Sequence, residues 1–189
     1  RFFAWDGEWC FGTARASSLR ASVKSEFTPS SASSAVIPKL WRSARANPDF
    51  MMAVADRAFR HTRAHGALSD AQAIERWLTL SNALRAPVIA ESARWGDSID
   101  PSTVRTRDAD WHNEQALIGG LLAGNGEALL DSMRSHGYYP SVAPPQFSHP
   151  DGIVEPPFAW TLSHTNGSGE AYYTGDGSDP RLPGGAVNP

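Results

Sequence analysis

Apolar positions follow three different rhythms along this chain. Phe2, Phe3 and Trp5 form a dense run that ends on Asp6-Gly7-Glu8, so residues 1–12 read as a strand closed by a turn. Residues 13–36 are rich in Ser, Ala and Thr and poor in large apolar side chains, which predicts a loop or linker. A helical rhythm then takes over. Asn47-Pro48-Asp49 supplies an N-cap, a proline at the first helical position and an acid favoured by the helix dipole. Phe50, Val54, Ala55, Ala58 and Phe59 follow on one face, and His65-Gly66 is the expected stop.

Ser69 and Gln72 have the spacing of a capping box, with Leu68 placed to staple against Ala73. Ile74, Trp77, Leu78, Leu84 and Val88 continue the apolar stripe. Pro87 must kink or break the helix, because it removes a backbone donor and crowds the preceding turn. The pattern resumes to Trp95 and ends at Gly96-Asp97. A third helix is expected from Asp108 or Asp110, carrying Trp111, Leu117, Ile118, Leu121 and Leu122. A fourth is expected from about Glu127 to His136, with Gly137 as its C′ glycine.

Beyond Tyr138-Tyr139-Pro140 the helical period disappears and prolines crowd the chain. Phe158 to Ser163 and Glu170 to Thr174 read as strands, joined as a hairpin through Thr165-Asn166-Gly167-Ser168-Gly169. A domain boundary is expected near residues 140–146. The fold class expected is α+β: a mainly helical part over residues 1–140 and a β part over 146–189. Two strands are too few to close a sandwich, and the first residues already lie in a core-like strand. The pattern therefore predicts a fragment cut at both ends.

Composition changes this picture little. The 189 residues are 41% hydrophobic, enough for a core. The net charge of -3 argues against nucleic acid or an anionic membrane as partner. No apolar run is long enough to span a membrane. Cys10 is the only cysteine, which excludes an intrachain disulfide and disfavours a cysteine metal site.

Candidate chemistry is sparse. Asp6 and Glu8, two apart on a strand, share a face and offer hard oxygen ligands suited to Mg²⁺. They serve equally as turn acids, and spacing alone favours the turn. His61 and His65 have a zinc-capable i, i+4 spacing but lack a third ligand, and Arg60 and Arg63 oppose a cation. Asp56-Arg57 and Glu91 with Arg94 suit helix-surface ion pairs. Arg105, Arg107, Asp108 and Asp110 suit helix capping. Asn166-Gly167-Ser168 fits a glycosylation sequon and, better, a tight turn. The serine-rich stretch reads as a solvated surface segment rather than a phosphorylation target. No P-loop, GxSxG, HExxH or GxGxxG occurs.

Three ordered stretches resemble the spore-coat-protein-H (CotH) kinase family in its secreted bacterial form. They are Phe3-Ala4-Trp5-Asp6-Gly7-Glu8-Trp9-Cys10-Phe11-Gly12; Ala46 to Phe50 with Ala55-Asp56-Arg57 and Gly66-Ala67-Leu68; and Ala90 to Asp97 with Arg107-Asp108 and Asp110-Trp111. The resemblance implies an atypical protein-kinase-like lobe over residues 1–140 that transfers phosphoryl from ATP to protein Ser or Thr with Mg²⁺. It gives Asp6 the metal-binding role and Glu8 a supporting one. It puts the serine-rich stretch after Gly12 where an activation-type segment would lie. It places the nucleotide loop, the phosphate-binding basic residue and the catalytic base upstream of Arg1, so the chain alone is expected to be inactive. A cell-surface or coat protein is the implied protein substrate, and an extracellular or cell-surface location the implied compartment.

Residues 146–189 resemble part of a chitobiase/β-hexosaminidase C-terminal-type module, an immunoglobulin-like sandwich, through Gly169-Glu170-Ala171-Tyr172-Tyr173-Thr174-Gly175-Asp176-Gly177-Ser178-Asp179-Pro180-Arg181. That module, and the seven Trp and four Tyr, give the alternative reading: a non-catalytic surface protein on a degenerate kinase-like scaffold that contacts carbohydrate.

Overall fold

Asn47-Pro48 begins one helix, Pro87 divides another, and Gly96 and Gly137 follow two helix ends. The computed structural model describes residues 22–63, 65–149 and 153–189. Among them it shows a mainly helical body and a small two-stranded sheet, an α+β arrangement. A 3₁₀ turn, Ser25–Phe27, precedes helix α1, Val36–Ala44, and helix α2, Pro48–Thr62. Helices α3, Asp70–Leu84, and α4, Pro87–Trp95, follow. A π-helical turn, Arg107–Trp111, leads into α5, His112–Leu122, and then α6, Asn125–Ser135.

Helix α2 starts as its sequence dictates. The Asn47 side-chain oxygen accepts from the amides of Asp49, at 2.9 Å, and Phe50, at 3.3 Å, with Pro48 as the first helical residue. It stops at Thr62, earlier than expected, because Arg63 is extended and the Leu68 amide turns back to the His61 carbonyl. Pro87 separates α3 from α4 and becomes the first residue of α4. Helix α6 ends in a Schellman motif. Gly137, at φ 71°, donates to the Arg134 carbonyl, and Tyr138 donates to the Met133 carbonyl. That motif turns Tyr138 and Tyr139 into the core.

The core lies between α1, α2 and α6. Ala55, Leu130, Met133, Tyr138 and Tyr139 are buried, with Trp41, Met51, Val54, Ala58, Phe59 and Leu129 packed against them. Helix α1 was not foreseen from the sequence. Its N-cap, Ala35, makes no side-chain cap bond. Its proline, Pro38, is harmless in a first turn, where backbone N–H groups have no helical partner. The described part of the serine-rich stretch is tied to α1: Arg42 donates to the carbonyls of Ser31 and Ser33, and Arg45 to that of Pro29.

Ser69 occupies the N-cap of α3 in extended geometry, but its buried hydroxyl has no partner among the described residues. Gln72 bonds Glu75 rather than the cap, and Leu68 is exposed, so neither the capping box nor the staple forms. Asp70 acts at long range instead. Its carboxylate accepts from the amides of Gly124, at 2.6 Å, and Gly126, at 3.2 Å, and so caps α6. Replacing Asp70 by Ala is expected to cost about 1–3 kcal/mol, since charge-assisted bonds to otherwise orphaned amides are lost. Urea denaturation checks this, and Asp70→Asn, which keeps one acceptor, should lose less.

Helices α3 and α5 are joined through polar groups. The Trp77 indole donates to the Gln115 carbonyl at 2.9 Å, and the Gln115 amide donates to buried Ser81 and to Asn82.

The expected hairpin between residues 158–163 and 170–174 does not form. Strand β1, Gln146–Phe147, pairs antiparallel with β2, Leu162–Ser163, and residues 170–174 form no strand. Asn166 explains the choice. Its amide accepts from the Ala143 amide and donates to the Ala143 carbonyl, which fastens the segment to the 140s. The tail forms an isolated bridge between Arg181 and Val187 and clips onto α2. Arg181 pairs with Asp56 at 3.0 Å, and the Gly184 amide donates to Asp49 at 2.9 Å.

Candidate functional site

Asp6 and Glu8, the carboxylates expected to hold Mg²⁺, lie outside the described residues. Among the described residues no group of three or more His, Cys, Asp or Glu is arranged to hold a metal ion. The two histidines do not share a helix face, because α2 ends at Thr62 and His65 falls in the turn beyond it. Asp56 pairs with Arg181 of the tail rather than with its neighbour Arg57. Arg94 lies over the Trp95 ring, 5.1 Å from its centre, instead of pairing with Glu91. Arg107 makes a two-point contact with Asp108, and Asp110 accepts from the Thr106 amide at 2.7 Å. These bonds fit the capping role expected for that charge cluster. Asp176 accepts from the amide and hydroxyl of Ser178, so Asp176-Gly177-Ser178 closes a local Asx turn.

Two places gather chemistry. The first is a cleft of about 220 Å³ between α4 and the π-helical turn. Ser92, Arg105, Thr106, Asp110, Trp111 and Glu114 line it. It exists because the Arg105 amide donates to the Gly96 carbonyl at 2.9 Å and draws the loop back onto the end of α4. The Trp111 indole nitrogen is buried without a partner among the described residues.

The second lies where α2, α6 and the proline-rich segment meet. Glu127 accepts from Arg63 at 2.5 Å and from Arg134 at 2.9 Å, and Asp131 accepts from Arg134 at 2.5 Å. The hydrogen bond from Arg134 holds the Glu127 carboxyl below its ordinary range against partial burial, with Arg63 adding its charge. Arg134 also stacks on Tyr139, 5.1 Å from the ring centre. Burial pushes the Tyr139 phenol up, so it stays neutral near pH 7. A cavity of about 310 Å³ opens beside the two guanidiniums. The sequence offers no local signal for it. Arg63 and Arg134 are far apart in the chain, and each reads alone as a helix-end cation.

Beyond these lies an aromatic pair beside the small sheet. Phe147 and Trp160 stack with ring centres 4.6 Å apart and planes 8° from parallel, and both are about half exposed. No family model, curated protein or solved structure matches the chain. No described helix is long and apolar enough to cross a membrane.

Proposed function

We propose that this chain is the helical C-terminal part of a CotH-type protein-kinase lobe followed by part of an immunoglobulin-like module, and that it serves phosphoryl transfer from ATP to protein Ser or Thr. The reading rests on the order of the three motifs. One observation supports the third of them. The two halves of the third motif, residues 90–97 and 107–111, meet across the Arg105–Gly96 bond and line one cleft. In this reading Asp6 is a metal ligand and Glu8 supports it. Bound Mg²⁺ supplies charge neutralisation of the phosphate oxygens. The remaining residues position the lobe: Asn47 starts α2, Asp70 caps α6, and Gly96 closes α4 onto the following loop. The test is phosphotransfer from Mg-ATP by the full-length protein and its Asp6→Asn variant. A loss of activity in the variant with unchanged folding is the expected result. Equal phosphotransfer and equal nucleotide-dependent metal binding in both overturns the role given to Asp6.

A second reading, a non-catalytic secreted surface protein that contacts carbohydrate, is favoured by the half-exposed Phe147–Trp160 pair. Retention on wall polysaccharide that Trp160→Ala abolishes would favour it over the kinase.

A further inference from the structure

The cavity at the meeting of α2, α6 and residues 141–146 has a mainly apolar wall, into which four side chains bring hydrogen-bond donors. Arg63 and Arg134 bring guanidiniums, Ser141 a hydroxyl and Gln146 an amide, while Phe59 and Pro144 form apolar wall. No carboxylate lines it among the described residues. Glu127 and Asp131 hold the guanidiniums but do not line the cavity. A guanidinium has five N–H donors. The acids engage Nη2 of Arg63 and Nη1 of Arg134 among the described residues. The acids also hold both side chains in place, so a ligand would meet preorganised forks rather than mobile cations. The volume, about 310 Å³, falls at the low end of small-ligand pockets, ~300–1,000 Å³.

We propose that this cavity binds a phosphate monoester dianion. Two planar guanidinium forks match a tetrahedral oxyanion, which offers three terminal acceptor oxygens. A hydroxyl and an amide complete a set that a carboxylate, with two oxygens, would satisfy less fully. Because Glu127 and Asp131 offset the two positive charges, recognition rests on directed donors rather than net field, and millimolar affinity is the expected scale. The site stands apart from the kinase reading: it needs neither ATP nor Asp6.

The test is NMR of the Arg side-chain Nε–H signals in the full chain, titrated at constant ionic strength. Inorganic phosphate, O-phosphoserine, acetate and chloride are the probes. Saturable shifts of Arg63 and Arg134 with phosphate and O-phosphoserine, absent with acetate and chloride, are expected. Tighter binding of O-phosphoserine points to a protein-borne phosphate as the source, and equal binding points to the free ion. Arg63→Gln should weaken binding about tenfold, the scale of one lost charge-assisted bond. Arg134→Gln removes contacts to Glu127, Asp131 and Tyr139 and can unfold the chain, so Ser141→Ala serves as the second variant, with a loss of about threefold. Non-saturating shifts, equal shifts with acetate, or unchanged binding in both Arg63→Gln and Ser141→Ala overturn the proposal.

Discussion

Replacing Trp41 by alanine is expected to cost about 3–5 kcal/mol, the range for deleting a large packed aromatic. The total stability of a domain is commonly only ~5–15 kcal/mol, so this one change removes a large part of it. Trp41, on α1, touches the 3₁₀ turn, α2 and the segment that follows α6. Its ring meets Phe27 at 6.3 Å, Phe50 at 5.9 Å and Tyr138 at 5.1 Å, all edge to face. Its indole donates to the Phe27 carbonyl at 3.0 Å, and the Tyr138 hydroxyl donates to the same oxygen at 2.7 Å. Arg45 in turn donates to the Tyr138 hydroxyl at 3.2 Å. Removing the indole opens a cavity and leaves the Phe27 carbonyl bonded by Tyr138, while Val23 stays tied to the Ser132 hydroxyl at 2.9 Å and Pro29 to Arg45 at 3.1 Å. Urea denaturation followed by circular dichroism reads the effect as a fall in midpoint. Trp41→Phe separates the two contributions, since it keeps an aromatic ring and loses only the N–H donor and part of the area. A midpoint unchanged in Trp41→Ala shows that the α1–α2–α6 core does not limit stability.

Helix α1, which carries Trp41, shows where sequence reading stops. Local chemistry was legible. Asn47-Pro48-Asp49 starts α2, Pro87 divides α3 from α4, and Gly137 closes α6 with positive φ, all by interactions within a few residues. Long-range chemistry was not. Helix α1 has no capping side chain, so its evidence is the distant packing of Trp41 on Tyr138. Asp70 reads as part of a capping box, yet its bonds go to Gly124 and Gly126 across the fold. Asn166 reads as a hairpin turn residue, yet that hairpin does not form, and its side chain clamps Ala143 beside the strands that do pair. The candidate sites divide the same way. Asp6 and Glu8 are expected from a local motif and lie outside the described residues. Arg63, Arg134, Ser141 and Gln146 converge only through tertiary structure, and no spacing announces them.

Replacing Gly96 by alanine is expected to cost about 1–3 kcal/mol or more, the range for forcing atoms into filled space. Backbone freedom is not the reason, because Gly96 has ordinary right-handed geometry, φ -58° and ψ -29°. The reason is close approach. A Cβ at this position would lie 2.4 Å from the Ser92 carbonyl oxygen and 2.7 Å from that of Arg105. Both obstacles are backbone, so no side chain can swing aside. The Gly96 amide donates to Ser92 and its carbonyl accepts from Arg105, so both bonds must lengthen together. The cleft between α4 and the π-helical turn would open with them. Hydrogen exchange at the Arg105 amide should speed up by about tenfold or more, and the denaturation midpoint should fall. The neighbouring Asp97→Ala is the control, with both readouts expected near those of the parent chain. Faster exchange at Arg105 with an unchanged midpoint would show that the cleft opens locally, apart from the α1–α2–α6 core. Unchanged exchange and midpoint would mean that the loop yields freely, and the glycine of Trp95-Gly96-Asp97 would then need an explanation other than packing.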